Sequence, residues 1–284
     1  LASGGKRSFT QAVFQLGGNS GSALAPLLVI MVVFTKKIVD GQLVEESHLE
    51  RLVWFVLFPA LAIVILLFIG AWRKKLLKQA QTLKKREIPL PDLTHAQVRN
   101  SVIILMFLVF SKNFYTAGIS NYFQFYTIKT FGFTNAEAQL YLFYYLGAAA
   151  AGTLIGGFFG DRVGRKFIIW FSILGAAPFA LWLPYADAKT TAVLVVLIGF
   201  IISSAFASIL VYAQELLPKK IGMISGVFYG FAFGMAGLGS AVLGKLIDMT
   251  SITFVYKVCS FLPLMGLTAY FLPNLRKVKT KLSE

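Results

Sequence analysis

AAAAGTLIGGFFGDRVGRKFIIWFSILGAAPFALW, residues 148–182, carries the reading of the fold: an apolar run, four charged residues within six positions, and a second apolar run. A run of about 20 apolar residues is long enough to cross ~30 Å of hydrocarbon as a helix. A short charged turn between two such runs is the only place where the chain must meet water. Working outward, the same alternation recurs along the whole length and gives eight candidate spans, at 9–34, 52–72, 99–127, 135–159, 167–186, 191–215, 220–246 and 252–272. In lipid every backbone N–H and C=O has to be satisfied within the segment or in a closed barrel, so spans of this length are helices and the fold class is all-α integral membrane. Composition agrees. Hydrophobic residues are 57% of the chain and charged residues 14%, with mean hydropathy +0.73, too apolar for a domain that must clothe itself in polar surface.

The formal charge of +15 would point to nucleic acid in a soluble protein. Here the basic residues sit in short connectors instead of on one surface, which argues against a nucleic-acid partner and for a topology signal. If the spans alternate across the bilayer, nineteen Lys and Arg fall on one side and five on the other. The richer side is cytoplasmic by the positive-inside rule, which places both chain ends in the cytoplasm and the protein, multi-pass, in the cell's inner membrane. Residues 1–11 are polar and glycine-rich without an apolar h-region, unlike a signal peptide, and read like a segment cut from something longer. One connector is long: RKKLLKQAQTLKKREIPLPDLTHAQV, residues 73–98, is basic, holds two prolines and has the character of an interdomain linker. Cys259 lies in an apolar run and reads as a packing residue. His48 and His95 lack metal-ligand spacing. No nucleophile with a base, nucleotide loop or metal cluster is visible, so neither an enzyme nor a bound cofactor or metal is expected.

Polar residues inside spans carry the functional signal, because facing lipid they would be expensive. The first span has Gln11, Gln15 and Asn19 at four-residue steps. The third has Lys112, Thr116, Ser120 and Gln124 in the same spacing, with Asn113 and Asn121 beside them. Of these, Gln15 and Asn19 in the first span and Lys112, Asn113, Thr116, Ser120 and Gln124 in the third are the candidate substrate pathway. Lys112 stands out as an ionisable group deep in an apolar run. It either attracts an anionic substrate in a central cavity or is a buried lysine paired to a carboxylate for structure. Glycines at four-residue steps, Gly152, Gly156 and Gly160 in the fourth span and Gly222, Gly226, Gly230 and Gly234 in the seventh, predict two faces where helices approach closely.

GGFFGDRVGRK, residues 156–166, resembles the signature loop of the major facilitator superfamily, G-x-x-x-D-R-x-G-R-[RK], with Asp161, Arg162, Gly164, Arg165 and Lys166 in its places. VYAQELLPKKIG, residues 211–222, resembles the E-x-x-P stretch of the same proteins, with Ile221 where a basic residue is usual. Together with QAVFQLGGNSGSALAPLL (11–28), WFSILGAAPFALWLPYA (170–186) and YAQELLPKKIGMISGVFYGFAFGMAGLGSAVLG (212–244), these segments resemble the fosmidomycin resistance branch of that superfamily.

The resemblance implies twelve helices in two six-helix domains that rock around a midplane cavity, exporting a small drug in exchange for protons. It implies that Asp161, Arg162, Arg165 and Glu215 are gating residues. The aspartate would cap the start of the first span near residues 8–11, and Glu215 would pair with Arg165. Matched to the family, the first span is its fifth helix, with Ala25 in place of the glycine before Pro26, and the chain is a fragment with about eight of the twelve helices, lacking the first four. Residues 1–72 are then the last two helices of the N-terminal domain, 73–98 the linker, and 99–284 the C-terminal six-helix domain with a short basic tail. Other readings are a major facilitator transporter of a natural small organic anion, and a membrane scaffold that transports nothing. Inward-facing lysine, glutamine and asparagine argue against the scaffold.

Overall fold

The computed structural model describes residues 6–39, 42–80 and 93–275. Within them, eight helical segments are long and apolar enough to cross a membrane: Arg7–Val33, Leu49–Lys74, His95–Phe131, Asn135–Arg162, Arg165–Tyr185, Ala188–Leu216, Pro218–Met249 and Ile252–Phe271. They fall on the eight apolar runs. The long connector behaves differently at its two ends. Helix continues to Ala80 on one side and restarts at His95 on the other, while 81–92 lies outside the described residues.

The elements in chain order are α1 (Arg7–Val33), β1 (Phe34–Val39), β2 (Gln42–Ser47), a 3₁₀ turn (Leu49–Val56) leading into α2 (Leu57–Ala80), α3 (His95–Phe131), α4 (Asn135–Arg162), α5 (Arg165–Trp182), α6 (Ala188–Ser203), α7 (Ala205–Leu216), α8 (Ile221–Met249), α9 (Ile252–Cys259) and a closing 3₁₀ helix (Leu262–Phe271). The β1–β2 antiparallel hairpin was not read in the sequence. It occupies the connector between the first two spans, where β-branched residues favour extended backbone and where the free edges of two strands can be hydrated, as they could not be within hydrocarbon. The membrane fold remains all-helical.

The chain forms two compact units, residues 28–89 and residues 1–27 with 90–284. In the smaller unit the described apolar side chains of α2 are exposed, Leu57, Leu61, Ile63, Leu66 and Phe68 among them. A helix apolar on every face is at home in lipid. The larger unit buries two apolar clusters stacked along the helices. One gathers Tyr115, Phe123, Tyr126 and Tyr145 with α5, α6 and α9. The other gathers Leu105, Leu108, Val109 and Phe206 with α5, α7 and α8.

Sequence explains the helix boundaries locally. Thr94 and Gln97 form a reciprocal capping box that opens α3, and Thr134 and Glu137 do the same for α4, satisfying N–H groups that have no partner within the helix. The α4–α5 turn has only Val163 and Gly164 between its helices. Gly164 takes φ +117°, a conformation that side chains with a Cβ avoid, so glycine is required for the chain to reverse there.

The glycine stripe of α4 packs as its spacing predicts. A Cβ on Gly152 would collide with Phe200 O, one on Gly156 would lie 2.4 Å from Ser204 O, and one on Gly160 would lie 2.5 Å from Ser208 Oγ, so each step of four on α4 meets a step of four on α6 and α7. The α8 stripe departs from the prediction. Nothing among the described residues lies within 4 Å of a Cβ built on Gly222, Gly226, Gly230 or Gly234. Spacing places these glycines on a common face but does not say what lies opposite.

Candidate functional site

Two polar layers interrupt the apolar packing of the larger unit. The first sits at the α4–α5 turn. The Asp161 carboxylate, at the last turn of α4, accepts the backbone N–H of Ser8 at 3.1 Å and of Phe9 at 2.9 Å. These are free N–H groups of the first turn of α1, where the helix dipole also favours an anion. Arg165, the first residue of α5, uses three nitrogens on three elements. Nε donates to Ser8 Oγ at 2.9 Å, Nη2 to Asp161 at 3.1 Å and Nη1 to Glu215 at 2.5 Å. A planar guanidinium can hold three acceptors in fixed directions, which an ammonium cannot. Close approach makes the arrangement possible: a Cβ on Gly157 would fall 2.3 Å from Ala12 Cβ, so only a glycine there lets α1 lie against α4. Arg162 lies with its guanidinium 4.1 Å from the Phe158 ring centroid. Lys166 donates to Tyr270 O at 2.8 Å, tying α5 to the closing 3₁₀ helix. A cavity of about 500 Å³ opens beside this layer, lined by Asp161, Arg165, Lys166, Trp170, Tyr212 and Glu215 among others.

The second layer lies between the two apolar clusters and is built from buried Ser111, Lys112, Thr153, Ser172, Ser203 and Ser204. Here the sixth span is interrupted between α6 and α7. The N–H of Ser204 reaches back only three residues, to Ile201 O at 3.2 Å. Hydroxyls reinforce the carbonyls at this joint. Ser204 Oγ and Ser172 Oγ donate to Ile201 O at 2.7 Å each, Ser172 Oγ also lies 3.1 Å from Ile202 O, and Thr153 Oγ1 lies 3.3 Å from Ser203 O. The last span also changes at this level, from α9 to 3₁₀ helix, and Ser111 Oγ donates to Leu262 O at 2.6 Å. An irregular helix is tolerated in a membrane only when neighbours satisfy its backbone, and these side chains do so.

Lys112 stands within this layer, 7% exposed. Its Nζ lies over the Phe206 ring, 4.9 Å from the centroid, and among the described residues no carboxylate is within ion-pair distance of it. Phe206 packs on Tyr229 of α8, with centroids 5.5 Å apart at 56°. The Tyr229 hydroxyl accepts from Gln11 Nε2 at 2.7 Å and from Gln15 Nε2 at 3.4 Å. A chain of contacts thus runs from α1 through Tyr229 and Phe206 to Lys112. Phe206 and Tyr229 were missed in the sequence because aromatic residues in an apolar span carry no signal distinguishing them from core.

The remaining predicted pathway residues are spread along the helices. Asn19 donates to Thr153 Oγ1 at 2.7 Å, which brings α1 to the α6–α7 joint. Asn113 and Thr116 turn onto their own helix, bonding Val109 O and Lys112 O at 2.8 Å each. Gln124 accepts from Gln139 of α4 at 2.7 Å, about 18 Å along the axis from Lys112 at 1.5 Å per residue. Ser120 lies half-buried between them. Steps of four residues advance about 40° beyond a full turn, so by Gln124 the stripe has rotated about 120° away from Lys112. The third-span stripe is therefore a spiral: its Lys112 end lies under Phe206 of α7, while Asn121, beside its far end, donates to Ser240 Oγ of α8 at 2.7 Å.

Comparison with known proteins gives a consistent result. Residues 1–240 match the sequence profile of the Major Facilitator Superfamily. The chain is 51% identical over 280 residues to the fosmidomycin resistance protein of Escherichia coli (strain K12), covering 97% of this chain and 65% of that protein. It is 37% identical over 282 residues to an MFS-type transporter of Bacillus subtilis (strain 168), covering 98% and 66%. A cis,cis-muconate transport protein of Acinetobacter baylyi is 25% identical over 244 residues, covering 83% and 55%. The chain thus spans just under two thirds of the first two relatives.

Proposed function

We propose, from the premise that this chain belongs to the Major Facilitator Superfamily, that the protein exports fosmidomycin-like or other small anionic drugs across the inner membrane in exchange for protons. Residues 1–72 and 99–284 belong to its two six-helix halves, 73–98 is the cytoplasmic linker, and Leu1 and Glu284 lie on the cytoplasmic side. The observation that carries the anion reading is Lys112: a buried lysine, at the level where two spans are interrupted, with an aromatic face and, among the described residues, no carboxylate beside its ammonium. Discontinuous helices at mid-membrane are where transporters of this kind place their substrates. A buried cation without a counterion favours an anionic ligand, since the ligand supplies the missing charge. The relatives' names fit: fosmidomycin is a phosphonate and cis,cis-muconate a dicarboxylate, both anions at neutral pH. Asp161, Arg165 and Glu215, with Arg162 beside them, act as the cytoplasmic gate. In the arrangement described, the carboxylate of Asp161 holds α1 against α4 and α7 and closes that side.

The test is drug susceptibility. Expressed from its natural reading frame in a fosmidomycin-sensitive host, the protein raises the inhibitory concentration of fosmidomycin, and Lys112→Ala removes at least about tenfold of that protection, the equivalent of 1.4 kcal/mol of lost anion binding. Full protection by the Lys112→Ala protein sinks the anion reading. The muconate relative favours a second reading, transport of a natural small organic anion through the same site. It predicts no protection against fosmidomycin but Lys112-dependent flux of dicarboxylates in vesicles.

A further inference from the structure

We infer that Tyr229 is a second anion-binding residue of the Lys112 site and that Phe206 is a displaceable shield between them; the inference rests on the proposed anion role of Lys112. The Tyr229 oxygen accepts two glutamine amides, from Gln11 and Gln15. No acceptor among the described residues takes its own O–H proton, which leaves one strong donor to spend on a ligand. Two amides donating into the oxygen polarise the O–H and make it a better donor to an anionic oxygen. Tyr229 is half-buried, and its ring lies on Phe206 with centroids 5.5 Å apart. Phe206 in turn covers the Lys112 ammonium with its ring face. That face is the electron-rich part of an aromatic ring and stands where a ligand's negative charge would go.

An anionic oxygen entering between Lys112 and Tyr229 exchanges the cation–π contact for a charge-assisted hydrogen bond to each. The ring of Phe206 turns aside to admit it. The ligand class is a small, flat or tetrahedral oxyanion, a phosphonate or carboxylate, with the rest of the molecule lying on the Phe206 and Tyr229 rings. Because Tyr229 is tied to α1 through the two glutamines, the same residue senses both the ligand and the position of α1.

The two aromatic residues are distinguished by substitutions of opposite sign. Binding of fosmidomycin and of cis,cis-muconate is measured by calorimetry on the protein expressed from its natural reading frame and reconstituted in lipid nanodiscs. Tyr229→Phe keeps the ring and removes the donor, and it weakens anion binding about tenfold or more, the range for a hydrogen bond to a charged group. Phe206→Leu removes the shield and tightens anion binding about threefold or more, from the loss of a desolvated cation–π contact. Phe206→Tyr, which keeps a ring over Lys112, restores near-unsubstituted affinity. A merely structural role for these residues weakens binding in all three variants and overturns the inference, as does unchanged affinity in Tyr229→Phe. Thermal melting of each variant separates misfolding from lost binding. Should Phe206→Leu fail to fold, the Tyr229→Phe result decides alone. If Lys112→Ala binds the anions as well as the unsubstituted protein, or neither anion binds any form, the underlying anion reading falls. If Lys112→Ala loses binding while Tyr229→Phe does not, the present inference falls and the anion reading of Lys112 stands.

Discussion

Replacing Gly156 by alanine places a methyl group where the α4–α7 contact leaves no room, and the consequence can be worked from the distances. The added Cβ would lie 2.4 Å from both the carbonyl oxygen and the Cβ of Ser204 and 2.5 Å from its Cα. Ordinary contact begins near 3.4 Å, so the helices must separate by about 1 Å, and two of the three atoms met are backbone that cannot rotate away. Separation also stretches Thr153 Oγ1 to Ser203 O, already 3.3 Å, and opens the matched contacts of Gly152 and Gly160. Overpacking of this kind costs about 3 kcal/mol. The better helix propensity of alanine returns about 1 kcal/mol, for a net loss of about 2.

Gly175→Ala is the matched control. Its Cβ meets Phe171 at 3.6 Å and Ile201 at 3.7 Å, which is ordinary contact. That substitution gains the propensity and stabilises by about 1 kcal/mol. At about 2–4 °C per kcal/mol the two variants differ in melting temperature by about 6–12 °C, with the unsubstituted protein between them. Thermal unfolding of the purified protein in detergent, followed by circular dichroism, reads the difference. Gly156→Ala melting at or above Gly175→Ala refutes the close-packing argument.

Asp161→Asn keeps the shape but replaces one acceptor oxygen by an NH₂ that faces an N–H. Hydrogen exchange of the amides at Ser8 and Phe9 accelerates by about tenfold or more, and unchanged exchange means the carboxylate does not hold α1. Arg165→Lys keeps the charge but cannot serve Ser8, Asp161 and Glu215 together, so it lowers stability by about 1–3 kcal/mol. Arg165→Ala falls further, and equal melting of the two refutes the role assigned to the fork. Thr94→Ala breaks the capping box of α3 and costs about 1 kcal/mol, seen as faster exchange confined to the first turn after His95.

Much was legible in the residues because lipid leaves the backbone few choices. Eight apolar runs of spanning length became eight helical segments; the caps at Thr94 and Thr134 and the reversal at Gly164 were not singled out in the sequence, although their chemistry is local and needs no distant partner. The resemblance of residues 156–166 and 211–222 to family motifs singled out the residues that meet at the α4–α5 turn, although Arg162 lies over Phe158 in a way spacing alone could not indicate. The β1–β2 hairpin was not visible, since a connector outside the spans is not bound by the hydrocarbon rule.

What tertiary structure alone decided is which buried groups meet. A polar residue inside a span says that it must avoid lipid, but its partner comes from helices distant in the sequence. That is why Lys112 could be singled out from the chain while its neighbour Phe206, ninety-four positions away, could not. For the same reason the α4 and α8 glycine stripes, alike in spacing, part company in the fold. One faces the backbone of α6 and α7, and the other faces nothing among the described residues. Hydrophobic length and local caps set where helices are; packing across the chain sets what each polar or missing side chain is for.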